Sequence, residues 1–273
     1  MLTNIGKDVL AALRPLFSRL LISAVMLILT GWVIFYAPSM VFLVLVECFI
    51  IGALKEFYDL VKKKEIEVNT YAGIIFACLI PVFMGLPAEP LVFAIGILCF
   101  FLIQFNSNHT RSSLINVSVM LFGVLYVGWL LSFFVKIRVL DDGSQWVFYT
   151  LIVTKACDTG AYVFGKKFGK HKLMEHISPN KTIEGAVAGL ACSVGVSMLS
   201  IFYLSDVSLS LLFLLGLCIG ILAELGDLAE SLIKRDAGIK DSGTIPGLGG
   251  VLDIVDSLLF TAPFVYCFLM IRA

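Results

Sequence analysis

Nine apolar blocks follow one another along this chain, at residues 20–37, 39–54, 71–87, 89–104, 113–135, 147–164, 183–204, 208–226 and 252–271. A helix needs roughly 20 apolar residues to cross the hydrocarbon of a bilayer, and fewer when flanking groups snorkel. The blocks are continuous rather than striped, so the solvent they match is lipid. Pro38, Pro87 and Pro90 fall in tight connections, where a helix must break anyway. The expected fold class is therefore all-α: a polytopic integral membrane protein with about nine transmembrane helices. Composition agrees. The 273 residues are 59% hydrophobic and 15% charged, with a mean hydropathy of +0.99, whereas soluble domains run at about half apolar and about a quarter charged.

The formal net charge is zero, which argues against nucleic acid as a partner. Cys48, Cys78, Cys99, Cys157, Cys192, Cys218 and Cys267 each stand alone in an apolar run, so they read as small hydrophobes. His109, His171 and His176 show no metal-ligand spacing. Lys7, Arg14 and Arg19 are spread through a mildly amphipathic start with no small-residue cleavage site after it. Residues 1–19 are expected to form a short interfacial helix leading into the first span.

Orientation follows from lysine and arginine. With the N-terminus inside, the inside segments hold 16 of the 20. The outside segments hold Lys136, Arg138 and Arg272, and Lys155 falls within a span. This bias supports an N-in, C-out arrangement in the cell inner (cytoplasmic) membrane. Residues 1–135, with spans one to five, read as scaffold and lipid access; Glu47 is their one ionisable residue well inside a span. Residues 136–273, with spans six to nine and their loops, read as the catalytic region.

There the charges stand where lipid should be. Lys155 and Asp158 lie in span six, Glu184 opens span seven, Glu224 and Asp227 close span eight, and Asp253 and Asp256 open span nine. Such charges face a partner or a polar cavity; Lys155 with Asp158 fits a structural ion pair or a functional one equally. Glu184, Asp227, Asp253 and Asp256 all fall on the inner side. Mg²⁺ prefers carboxylate oxygen and is usually held by one or two carboxylates plus substrate phosphates, so acids beside basic loops point to metal-assisted phosphate chemistry. Residues 166–172 supply one basic loop, which also fits an anchor on anionic headgroups. Ser178 or Thr182 can cap span seven, and Lys181 beside that helix start attracts phosphate. The last inside loop carries Gly243, Gly247, Gly249 and Gly250, whose backbone can approach an anion closely. No GxxxxGK[ST] is present.

These residues resemble a known signature. Ser231-x-x-Lys234-Arg235-x-x-x-x-Lys240-Asp241-Ser242-Gly243, then Pro246-Gly247-x-Gly249-Gly250, then Asp253-x-x-Asp256, are similar to the pattern of the phosphatidate cytidylyltransferase (CDP-diacylglycerol synthase) family. Gly226-Asp227, Ser178-Pro179-x-Lys181-Thr182-x-Glu184-Gly185 and Asp158-x-x-Ala161-Tyr162 extend it. The resemblance implies an enzyme of phospholipid biosynthesis that condenses CTP with phosphatidic acid from the inner leaflet, giving CDP-diacylglycerol and pyrophosphate. It implies Mg²⁺, sometimes with a monovalent cation such as K⁺, a site facing the cytoplasm, and a homodimer. By position, Asp227 and Asp253 would hold metal with Asp256 in support. Lys181 and the loop glycines Gly247, Gly249 and Gly250 would bind phosphates, and Asp158, Ser178, Lys234, Arg235, Lys240 and Asp241 would line the substrate site.

Two positions depart from the pattern. The family has Gly-His-Gly-Gly where Gly247-Leu248-Gly249-Gly250 stands, and Asp-Arg-x-Asp where Asp253-Ile254-Val255-Asp256 stands. Either the missing polar groups come from elsewhere or activity is weakened or lost. Three other readings stay open: a CTP-dependent lipid kinase or a cytidylyltransferase for another lipid phosphate; a secondary transporter; and a membrane protein that binds these ligands without turnover.

Overall fold

The computed structural model describes residues 29–105, 112–239 and 249–272. The expected interfacial helix at 1–19 and most of the first block lie outside these residues, as do Lys240, Asp241, Gly247 and Leu248. Residues 29–36 are helical. Eight longer helical elements follow: α1 (Ser39–Lys62), α2 (Thr70–Phe83), α3 (Glu89–Phe105), α4 (Ser113–Arg138), α5 (Gly143–Phe168), α6 (Ile183–Leu199), α7 (Leu209–Asp236) and α8 (Val251–Arg272). Among the described residues, four segments are long and apolar enough to cross a membrane: Ser113–Arg138, Ile183–Phe202, Leu209–Asp236 and Val251–Arg272. α5 has the length but carries Lys155, Asp158, Lys166 and Lys167.

Local chemistry sets the helix ends. Asn69 accepts from the Ala72 N–H at 3.0 Å to start α2, and Ser208 caps α7 through the Leu211 N–H. Thr182 accepts from the Gly185 N–H at 3.2 Å to start α6. Thr182, and not Ser178, is thus the cap of α6. α1 and α7 run well past their apolar blocks, because polar residues continue the helix beyond the hydrocarbon length. α4 contains a π-helical stretch, Val124–Trp129.

One element departs from a purely helical chain. β1 (Lys172–Met174) and β2 (Ser178–Thr182) form a small antiparallel hairpin, with Lys172 opposite Thr182 and Met174 opposite Ser178. Glu184 holds its base: its carboxylate accepts from the Lys170 N–H at 3.0 Å, from the His171 N–H and from His171 Nδ1. The hairpin therefore sits at the start of α6.

Without a hydrophobic drive between helices in lipid, close approach of small residues and interhelical hydrogen bonds hold them together. Ser193 Oγ donates to the Gly216 carbonyl at 3.0 Å, and Ser197 Oγ donates to the Leu212 carbonyl at 2.5 Å, tying α6 to α7. α8 packs against α7, the end of α4, α1 and α5; it is apolar nearly all round and largely buried, as a central helix must be. Large apolar residues such as Tyr71, Leu114 and Phe202 point outward, the expected surface against lipid.

The contact that matters most for the charged residues is Gly226 of α7 against α8. A Cβ there would lie 2.4 Å from the Asp256 carbonyl oxygen and 3.0 Å from Ser257 Cα. Both neighbours are backbone, so no side chain can swing away. Gly195 is the control, since a Cβ there meets nothing within 4 Å. Gly226→Ala should lower the thermal unfolding midpoint of the detergent-solubilised protein, at a cost of about 1–3 kcal/mol for overpacking. Gly195→Ala should leave the midpoint unchanged or raise it. Equal midpoints for the two variants would show that the α7–α8 approach is not tight.

Candidate active site at the ends of the last two helices

Three lysines organise the acids. Lys181 reaches from β2 to α7, and its ammonium lies 3.0 Å from Glu224 Oε2 and 3.0 Å from Asp227 Oδ2. Burial works against the Lys181 ammonium, but Asp227 and Glu224 outweigh it and hold its pKa above the ordinary lysine value. Lys234 of α7 lies 2.5 Å from Glu230, one turn back, and 2.7 Å from Asp253 Oδ1 on α8. Lys155 of α5 donates to Asp158 at 2.9 Å, to the Ile254 carbonyl at 2.9 Å and to Ser257 Oγ at 3.0 Å. Ser257 Oγ donates in turn to Asp158 at 2.8 Å, which closes the triangle between α5 and α8.

The helices put these groups on shared faces. Glu224, Asp227, Glu230, Ser231 and Lys234 fall within about a third of the circumference of α7 at 3.6 residues per turn. Ser231 Oγ donates to Asp227 at 3.4 Å. Asp256 is 6% exposed and lies within electrostatic reach of Asp227, Lys155 and Asp158. Gly226 is what lets Asp227 and Asp256 approach at all. Two surface cavities, of about 740 and 600 Å³, border the α1–α2 connection and the end of α6 and share no residue with this cluster. The chemistry is therefore read from the charged groups.

The structure brings together Asp158, Lys181, Asp227, Lys234, Asp253 and Asp256 of the residues expected from sequence. Lys181 and Lys234 are not free cations; each bridges two carboxylates. Arg235, expected to line the substrate site, donates from Nε to the Ile177 carbonyl at 2.9 Å, and its guanidinium also reaches the Ile239 carbonyl. It is a strut that ties the hairpin to the end of α7. Ser178 opens β2 and makes no side-chain hydrogen bond among the described residues. Gly249 has φ +84°, which a side chain would strain. The Gly250 N–H donates to Asp253 Oδ2 at 2.7 Å, so that donor is occupied by a carboxylate.

Sequence reading missed Glu224 and Glu230 as partners. Their signal was available: with Asp227 they recur every three residues on one side of α7, and Glu230 stands one turn before Lys234. Glu230 is 1% exposed, and the ammonium of Lys234 lies beside its carboxyl group. It also missed two contributions from the first half of the chain. Glu56 of α1, 8% exposed, accepts from the Leu252 N–H at 2.8 Å. Tyr126, on the π-helical stretch, is buried within reach of the charges of Asp256, Glu230 and Asp227, and its hydroxyl finds no partner among the described residues.

The model of the cytidylyltransferase family matches residues 17–272. The chain is 44% identical over 155 residues to a phosphatidate cytidylyltransferase of Staphylococcus haemolyticus (strain JCSC1435), with 56% of this chain and 59% of the relative covered. It is 45% identical over 156 residues to that of Staphylococcus aureus (strain COL), with the same coverage, and 40% identical over 155 residues to that of Staphylococcus saprophyticus subsp. saprophyticus, again with 56% and 59% covered. The chain thus spans less than two thirds of the length of the relatives it matches. The family match runs from span one to the end of α8, and the chain belongs to the cytidylyltransferase family.

Proposed function

We propose that this chain is a phosphatidate cytidylyltransferase, joining CTP to phosphatidic acid in the membrane to give CDP-diacylglycerol and pyrophosphate. The observation that carries it is the pair of bridges, Lys181 to Glu224 and Asp227 and Lys234 to Glu230 and Asp253, at the adjoining ends of α7 and α8. The family match and the named relatives support it. Eight helical elements fall on eight of the nine apolar blocks, and with the lysine and arginine bias this supports nine spans, N-in and C-out, with the site facing the cytoplasm from the inner membrane.

In this reading a phosphate oxygen of phosphatidate attacks the α-phosphorus of CTP in line. The bond from that phosphorus to the bridging oxygen of the β-phosphate breaks, and pyrophosphate leaves. Such transfer asks little covalent work of the protein; positioning and charge neutralisation carry it. Lys181 and Lys234 turn from their carboxylates toward the phosphates as these arrive. Arg235 keeps the hairpin, and so Lys181, over α7.

Mg²⁺ fits the residues present. The carboxyl groups of Asp158, Glu224, Asp227, Glu230, Asp253 and Asp256 outnumber the ammoniums of Lys155, Lys181 and Lys234, so carboxyl oxygen remains for a hard cation. Mg²⁺ is usually held by one or two carboxylates together with substrate phosphates. Asp227 and Asp253 would hold it, with Asp256 behind them. When bound, the ion neutralises charge building on the phosphate oxygens. A monovalent cation such as K⁺ would draw on the same carboxyl oxygens.

We read the chain as active despite Leu248 and Ile254. The side chain of Ile254 packs against the core, and Lys155 keeps a cation close by, with its ammonium on the Ile254 carbonyl.

Purified protein in detergent should release pyrophosphate from CTP only when Mg²⁺ and phosphatidate are both present. Lys181→Ala should slow this by roughly 10²–10³-fold, the scale of losing one preorganised electrostatic group. Lys155→Met should slow it by a comparable factor. If the unmodified chain is silent while Leu248→His with Ile254→Arg restores release, the chain is an inactive member. If release does not depend on phosphatidate, the proposed substrate is wrong.

A further inference from the structure

The first turn of α8 is half of a capping box. Gly250 precedes the first helical residue, Val251, and Asp253 stands at the third helical position. In a capping box that third residue accepts from the N-cap N–H, while the N-cap side chain accepts from an N–H inside the first turn. Asp253 does its part, with Oδ2 accepting from Gly250 N–H at 2.7 Å. Gly250 has no side chain for the other part. The missing acceptor comes from α1, 196 residues away: Glu56 Oε2 accepts from the Leu252 N–H at 2.8 Å. A carboxylate at the positive end of a helix is also favoured by the helix dipole. Gly52, one turn earlier on α1, lies against Val251, where a Cβ would stand 3.0 Å from both of its methyl carbons. α1 therefore brings both the acceptor and the clearance to one spot.

We propose that Glu56 is a positioning residue for Asp253. Asp253 uses one oxygen on Gly250 and the other on Lys234, so the start of α8 decides where the second oxygen points. With Glu56 in place, Leu252 and Val251 are fixed and Asp253 Oδ1 meets Lys234 at 2.7 Å. Without it, the Leu252 N–H loses its acceptor, the first turn frays, and Asp253 loses its aim. The first half of the chain then acts on the site through one carboxylate, rather than serving as scaffold alone. This role rests on the cytidylyltransferase reading, because it assigns Asp253 to Mg²⁺.

The test is the Mg²⁺ concentration that gives half of the Mg²⁺-induced rise in thermal unfolding midpoint, measured on the full chain in detergent with CTP, beside the Mg²⁺ dependence of pyrophosphate release. Glu56→Ala should raise both half-points by roughly 10–100-fold, the usual cost of removing a group that orients a metal ligand. Glu56→Gln keeps an acceptor oxygen at the same reach and should stay close to the unmodified chain. Glu56→Asp keeps the charge but falls a methylene short, so it should behave like the alanine variant, and it carries the test if Glu56→Ala does not fold. Asp59→Asn, on the exposed side of α1, is the control. If the alanine and aspartate variants melt earlier with unchanged Mg²⁺ half-points, Glu56 is merely structural and the proposal is overturned. If the unmodified chain shows no Mg²⁺ response at all, the cytidylyltransferase reading fails, and the role of Glu56 with it.

Discussion

A carboxylate in an apolar helix bundle must be matched by a cation or left costly, and in this chain that constraint shapes the whole second half. Removing one partner of a buried ion pair typically costs about 3–5 kcal/mol, because the charge left behind has nowhere to go. Lys181 and Lys234 each answer two acids. The hairpin exists to deliver Lys181 over α7, Glu184 fixes the base of the hairpin, and Arg235 fixes its turn. Gly226 lets α8 approach until Asp256 shares the field of Asp227. Each of these structural features would be unremarked surface detail if the acids were absent.

The same constraint links the sites to function. In the proposed reading, the carboxyl groups that hold Lys181 and Lys234 would offer oxygen to a divalent ion arriving with a triphosphate, and the lysines would then be free to meet phosphate. Stability and activity would draw on the same groups, so these ion pairs would be the ones to rearrange.

Much of this was legible in the sequence, for a physical reason. Lys155, Asp158, Asp227, Asp253 and Asp256 stand out because a charge inside an apolar block has few innocent explanations. Glu224 and Glu230 were readable in principle from their spacing along one face with Asp227. Glu56 was not. It lies just beyond its apolar block, among residues that look like a polar connection, and its partner is a backbone N–H that leaves no mark in sequence. The hairpin was hidden too, since its strands are short, polar and interrupted by Pro179. The partners of Arg235 were hidden as well: a guanidinium near a glycine-rich loop suggests phosphate, and the peptide carbonyls it meets leave no mark in sequence.

The central claim is that this cluster transfers the cytidylyl group, and the fate of the phosphorus atoms tests it most directly. Incubated with phosphatidate, Mg²⁺ and CTP labelled at the α-phosphorus, the protein should place the label in the lipid product, while label at the γ-phosphorus should leave entirely as pyrophosphate. Label from the γ-phosphorus in the lipid, with none from the α-phosphorus, would contradict the account and make the chain a lipid kinase.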